Sequence, residues 1–484
     1  MAKLTTTITL ATALAASGCA MLEPPLPAAA PQLAASWPAS AGAAPSAPPA
    51  PPAPALAVHD VGWRDFFTDP KLAAILAAAL ENNRDLRIAA LNIERTRAQY
   101  RIQQSERWPS VGVSVSGQRS GGSGAEQSRN VYQVGAGISA FELDLFGRLH
   151  NLSAAAFQQV LAQEQARQAI QLSLVAEIAN TYILLAADLE SQRVAERTLE
   201  AQQSSYELVA KRYEVGAVSA VDVSQARTTV ETARADVARF AGLVAQDINA
   251  LDLLAGAQVE RALLPQAFDI AVSGLAPLPA GLPSEVLLRR PDILQAEHLL
   301  RSANANIGAA RAAFFPSLSL TGNIGSASPE FSGLFESGTR TWSFVPQLNV
   351  PIFQGGRLRA GLAVATAERD IALAQYEQAI QAGFREVADA LALTRTLAER
   401  REAQEALLAA TRQTFELSQA RYDSGRDSFL NVLDAQRSLY TAQQGAIAAQ
   451  LAEQANRLTL YRVLGGGWVE QSAAPVLVDA GQER

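Results

Sequence analysis

Cysteine occurs once in the 484 residues, at Cys19, so the chain can form neither an internal disulfide nor a thiolate metal cluster. Lysine occurs only at Lys3, Lys71 and Lys211 and the net charge is −7, which leaves no basic patch for nucleic acid. Histidine stands only at His59, His150 and His298, none with a metal-ligand partner at useful spacing, and no Gly-rich phosphate loop with a lysine is present. These absences disfavour an enzyme, and no metal or cofactor is expected. The methionines are Met1 and Met21 alone, which gives no support to a thioether-lined route for copper or silver. Beyond the N-terminus no apolar run approaches the roughly 20 residues of a membrane helix. A membrane β-barrel stays open, because its strands alternate and leave hydropathy near zero.

What the chain does have is a repeat. Phe146-Gly147-Arg148-Leu149 returns as Gly355-Gly356-Arg357-Leu358, Arg212-Tyr213-Glu214-Val215-Gly216 as Arg421-Tyr422-Asp423-Ser424-Gly425, and Leu254-Ala255-Gly256 as Val463-Leu464-Gly465. The offsets 356 − 147, 425 − 216 and 465 − 256 are all 209. A constant register over that distance indicates a duplicated structural unit.

Taken in order, Lys3, the apolar stretch from Ile8 to Ala16 and Ser17-Gly18-Cys19 make a secretory signal. Small residues directly before a cysteine resemble a bacterial lipoprotein processing site. On that reading 1–18 is removed and Cys19 carries the lipid, palmitate included; the alternative is an ordinary signal with an incidental cysteine. Residues 19–60 are then a Pro/Ala-rich, extended and solvated tether. The first repeat, 61–256, contains a helix, strands at 110–118 and 131–145, a long helix at 147–213 and a return helix at 220–255. A loop-rich belt at 257–283 leads to the second repeat, 284–465, with a helix, strands at 317–325 and 342–352, a long helix at 357–422 and a return helix at 429–464. The tail 466–484 is expected to be loose.

The strands show period two, Val111, Val113 and Val115 against Gly112, Ser114 and Ser116 being the plainest case. In the second strand the apolar positions slip from even to odd numbers between Ile138 and Phe141, which predicts a bulge. Pro346 and Pro351 predict irregularity in the fourth. From Gly147 to Tyr213 no proline occurs, and a helix of that length measures about 100 Å at 1.5 Å per residue, far beyond an ordinary globular helix. Four strands cannot close a barrel, since about eight is the practical minimum, and open edges are not tolerated in lipid. Strands must be pooled between identical chains, whose number the residues do not choose.

Arg-Tyr-x-x-Gly-x-x-Ser-x-x-Asp-Val at Arg212 to Val223 and Arg-Tyr-x-x-Gly-x-x-Ser-x-Leu-x-Val-Leu-Asp-Ala-Gln at Arg421 to Gln436 resemble the TolC-like outer-membrane efflux proteins. Pro-Ile-Phe-x-Gly-Gly-Arg at Pro351 to Arg357 and the lipoprotein start are similar to the lipidated branch, the outer-membrane factors of resistance-nodulation-division pumps. The resemblance implies an α+β membrane channel: a homotrimer whose twelve-stranded β-barrel continues into a periplasmic α-barrel of coiled-coil-like helices. It implies docking to a periplasmic adaptor, the membrane fusion protein, which couples to an inner-membrane transporter. The expected role is the exit duct of a tripartite pump for drugs or other small toxic compounds. An exit duct for type I protein secretion is the nearest alternative, and a structural coiled-coil lipoprotein a more distant one.

The resemblance also assigns the two helix turns. Asp222 held by Tyr422 would close the tip, and acidic rings on the second return helix would line it. One ring maps to Asp434 and the other to Asn431, a departure that halves the acidic charge. The family's basic locking residue maps to Asp427, leaving Arg421 and Arg426 as nearby candidates. Asp222 has a second reading, since Ser219 and Ser428 suit N-caps with Asp222 and Asn431 three residues on. Val215, Gly216, Val218, Ser219, Gly425, Ser428 and Phe429 are the candidates for adaptor docking.

Overall fold

In the computed structural model the described residues are 22–31, 61–121, 129–266, 268 and 284–472. Cys19, the signal and most of the tether and belt lie outside them. The helices longer than two turns are α1 (Pro70–Asn82), α2 (Arg84–Ser105), α3 (Arg148–Glu214), α4 (Ala220–Ala255), α5 (Pro291–Ala312), α6 (Arg357–Asp423) and α7 (Phe429–Val463), and the strands are β1 (Val111–Ser120), β2 (Arg129–Leu143), β3 (Ser317–Ser328) and β4 (Arg340–Asn349). α3 and α6 have 67 residues each, and α4 and α7 have 36 and 35. The chain divides into two compact units.

The first unit comprises Met1–Ala30, Leu91–Gln165 and Leu294–Ala379. Its strands form one antiparallel sheet in the order β1-β2-β3-β4. Residues paired across a sheet share a face. Val113, Ala136, Ile324 and Trp342 therefore make one row across all four strands, and Val111, Ile138, Gly322 and Phe344 the next. The opposite face carries Ser114, Gly135, Gly325 and Thr341. Glycine is required there, because a Cβ on Gly325 would lie 2.1 Å from the Val134 carbonyl oxygen.

The expected bulge is present: the register shifts between Ile138 and Phe141, and Ala140 has φ 49°. The shift sets Phe141 and Leu143 opposite Leu320 and Leu318, so the apolar face continues unbroken. The irregularity expected at Pro346 does not occur, since Pro346 stays in register with Leu320. β4 is an outer strand with one partner, so a missing N–H on its open side costs no ladder bond.

Residues 22–31 depart from the solvated tether that their composition predicts. Asn304, 1 % exposed, donates from Nδ2 to Glu23 Oε1 (2.9 Å) and to the Pro24 carbonyl (2.8 Å), and Arg311 donates to the Leu22 carbonyl (3.2 Å). Specific polar contacts to α5 thus replace water along this segment.

The second unit comprises Pro31–Ala90, Ala166–Ile293 and Ile380–Arg484. Its core holds Trp63, Phe66, Phe67, Leu72, Ile75, Tyr182 and Tyr461. The Phe66 and Tyr461 rings stack at 3.7 Å, and the Tyr182 hydroxyl donates to Asp69 Oδ2 at 3.0 Å. The loose tail expected from residue 466 is fixed through 472: Trp63 N donates to the Val469 carbonyl (2.9 Å), and Ser472 N to Asp65 Oδ2 (2.7 Å). Also against expectation, α3 holds an 18-residue window of mean hydropathy 1.5, long and apolar enough to cross a membrane by length and composition. Over half of that window, 56 %, is buried inside the protein. Val175, Ile178, Tyr182, Ile183 and Leu185 of this helix are fully buried, so burial in the core accounts for their apolarity.

Candidate functional site at the helix turns

The two helix turns are built alike. Gly216 and Gly425 adopt φ +73° and +72°, the left-handed conformation that ends a helix at low cost for glycine. Ala217 N donates to the Arg212 carbonyl at 2.8 Å, and Arg426 N to the Arg421 carbonyl at 2.9 Å. These bonds satisfy the last carbonyls of α3 and α6 and reverse the chain.

Between the hairpins, Val209, Ala226, Phe429, Val432 and Leu433 form a buried cluster, with Tyr206, Val218, Val223, Phe415 and Tyr422 packed against it. The cluster takes residues from both repeats. Of the docking candidates, Phe429 is 9 % exposed within this cluster and Val218 is half-buried against it. Val215, at 79 % exposure, Gly216, Ser219, Gly425 and Ser428 remain at the surface.

Asp222 lies in a complete capping box with Ser219, whose hydroxyl and backbone N–H hold its carboxyl below the usual carboxylate range. Ser428 is the N-cap of α7, but its side chain makes no cap bond. Beside it, Asp427 accepts from Arg421 Nε (2.9 Å) and from Asn431 Nδ2 (2.7 Å), and these bonds lower its pKa. Asp434 pairs with Arg437 at 2.7 Å, both side chains largely exposed. Arg426 makes no side-chain bond among the described residues.

The expected Asp222–Tyr422 contact is not formed within the chain. Asp222 is occupied by Ser219, and the Tyr422 hydroxyl instead accepts from Arg212 Nη1 at 2.5 Å. The Arg212 guanidinium carbon also sits 5.0 Å from the Tyr422 ring centroid. Arg212 is the residue that sequence reasoning did not place in the site, although the 209-residue offset pairs it with Arg421 and so carried a signal; Asp427, noted there only as a departure from a basic lock, is the acceptor for Arg421 and Asn431.

A cavity of about 380 Å³ opens between α3, α4 and α7, where the Tyr440 hydroxyl donates to Asp236 Oδ2 at 3.0 Å. Burial and that carboxylate push the Tyr440 pKa up to about 12. Among the described residues no group of His, Cys, Asp and Glu has the arrangement of a metal site.

The sequence profile of the outer membrane efflux protein family matches the chain twice, over residues 75–257 and 282–466, one match per repeat. The chain belongs to this family. The antibiotic efflux pump outer membrane protein ArpC of Pseudomonas putida is 44 % identical over 467 residues, covering 95 % of each chain. Among solved structures, a membrane protein from Pseudomonas aeruginosa superimposes with a TM-score of 0.83 at 40 % identity, covering 92 % of this chain and 99 % of that one. The open state of the Neisseria gonorrhoeae MtrE outer membrane channel gives 0.82 at 36 % identity, over 93 % and 99 %. The fold is therefore that of an α+β outer-membrane channel of the TolC type, and the function that of an outer-membrane exit duct of tripartite efflux pumps.

Proposed function

We propose that this outer membrane efflux protein works as a homotrimer, anchored by lipid on Cys19, that receives drugs or other small toxic compounds through a periplasmic adaptor serving a resistance-nodulation-division transporter. The observation that carries the assembly is the sheet, which has one apolar face, one small and polar face, and an unpaired edge on both β1 and β4. Val113 and Trp342, on the two outer strands, are 76 % and 78 % exposed in the single chain. An apolar outer face and a polar inner one are what a barrel in lipid demands, and an open edge there leaves backbone groups without partners. Three sheets of four strands close a barrel of twelve. In this reading Asp222, Tyr422 and Asp434 belong to a resting gate, and the exposed turn residues Val215, Gly216, Ser219, Gly425 and Ser428 receive the adaptor.

Light scattering of the full-length protein extracted in mild detergent tests the assembly. A mass of three chains is expected, a mass of two would replace it with an eight-stranded barrel, and a single chain would sink the pooled sheet. Planar-bilayer recordings test the gate: Tyr422→Phe combined with Asp222→Ala should raise resting conductance, and unaltered conductance would remove both residues from it.

A further inference from the structure

Arg212 and Arg421 hold the same place in the two repeats, yet they are bonded differently. Arg421 donates to Asp427, six residues on in its own turn. The residue of the first repeat that answers Asp427 is Val218, which packs on the tip cluster and offers no acceptor. Arg212 is thereby released from its own turn and spends its guanidinium on Tyr422 of the other hairpin. Its main chain stays fixed, because its carbonyl accepts from Ala217 N at 2.8 Å. The last turn of α3 also favours a cation through the helix dipole.

Tyr422 is correspondingly constrained. Its ring lies 5.4 Å from that of Phe429 in the cluster on which it packs, and its hydroxyl serves as an acceptor and so keeps its own proton to donate. We propose that Arg212 is the positioning residue for Tyr422, a latch across the two repeats that holds the resting tip; this rests on the gate reading above. Parting the hairpins breaks a hydrogen bond from a cation and a cation–π contact together. A carboxylate that competes for the guanidinium opens the latch.

The test is resting conductance in planar bilayers, with each variant first checked for the wild-type oligomeric mass. Arg212→Gln is expected to raise resting conductance several-fold, to the level of Tyr422→Phe, and the double variant should go no further, because both changes remove one interaction. Arg212→Lys should restore part of the closure. Val218→Asp supplies in the first turn the carboxylate that Arg421 already has, and should match Arg212→Gln although Arg212 is intact, whereas the neutral Val218→Asn, which changes the packing alike but brings no charge, should leak clearly less. Wild-type conductance in both Arg212→Gln and Val218→Asp, with Tyr422→Phe raised, overturns the latch and leaves the gate standing. Equal leakage in Val218→Asp and Val218→Asn also overturns it, as loss of packing would then explain the effect. If Tyr422→Phe and Asp222→Ala are silent too, the gate reading itself falls and takes the latch with it.

Discussion

Ser219 and Asp222 close on each other through three bonds: Ser219 N and Oγ donate to Asp222 Oδ2 at 2.9 and 2.8 Å, and Asp222 N donates to Ser219 Oγ at 3.3 Å. The first turn of α4 is thus tied by side chains, whereas that of α7 has no side-chain cap bond from Ser428. Ser219→Ala should weaken its helix start by about 1 kcal/mol, and Ser428→Ala by a few tenths at most. Amide exchange at residues 220–223 should accelerate in the first variant, with little change at 429–432 in the second. Because the Asp222 pKa is depressed, its contribution is present above the ordinary carboxylate range and is lost as pH falls through the lowered value.

Asp188 of α3, half-buried, and Asp247 of α4, 8 % exposed, are bonded carboxyls, and Asp247 Oδ2 has no hydrogen-bond partner. Burial first, and then the charge and hydrogen bond of Asp188, push the Asp247 pKa up to about 6, and burial raises that of Asp188 too. The folded state therefore holds a proton that the unfolded chain releases near 3.8. Stability falls as pH rises from about 4 through about 6 and stays reduced above that. Asp247→Asn should stabilise at pH 7.5 by about 1–2 kcal/mol once solvent screening is allowed for, and by nothing at pH 4. Apparent Tm of the detergent-extracted protein across this range checks it; an equal gain at both pH values would contradict the shared proton.

Arg290 is 7 % exposed and joins three segments: it bonds Asp292 through two nitrogens, Glu386 at 2.9 Å and the Val463 carbonyl at 3.0 Å. Removing the guanidinium leaves its acceptors without a donor, but the Asp292 and Glu386 side chains are 45 % and 32 % exposed and take up water instead, so the cost falls below the about 3–5 kcal/mol of a fully buried network. Arg290→Ala should accordingly lower Tm. Glu386→Gln, which keeps an acceptor for the guanidinium, should cost less, and thermal unfolding of the two variants side by side measures the difference.

Much of this was legible because local pattern and tertiary demand agree. The parity slip between Ile138 and Phe141 announced the bulge, since an apolar face must continue whatever the backbone does. The repeat register announced both turns to within a residue. What the pattern could not carry was competition between partners. Ser428 has the sequence of a cap and Asp222 that of a partner for Tyr422, but the Asn431 side chain donates to Asp427, and Ser219 donates to the Asp222 carboxylate. Likewise Trp468 to Ser472 follow three glycines and read as loose, yet they are pinned to residues some 400 positions earlier, a contact that no local period reports.

Asn431 stands where a second acidic ring would be, and in the structure it donates to Asp427 rather than facing it with like charge. Asn431→Asp turns that donor into a carboxylate four residues from Asp427 and three from Asp434, all on one helix start. Like charges at such spacing destabilise by roughly 0.3–0.5 kcal/mol and raise the pKa of their neighbours. Three chains would then bring six carboxylates toward one axis in place of three, deepening the negative potential where permeating ions are most desolvated. Titrating the planar-bilayer conductance with a multivalent cation should show block at several-fold lower concentration in Asn431→Asp than in the native channel, an effect that fades at high salt. Identical block curves would mean that the first turn of α7 faces away from the passage, and the assignment of Asp434 to a constriction ring would fail with it.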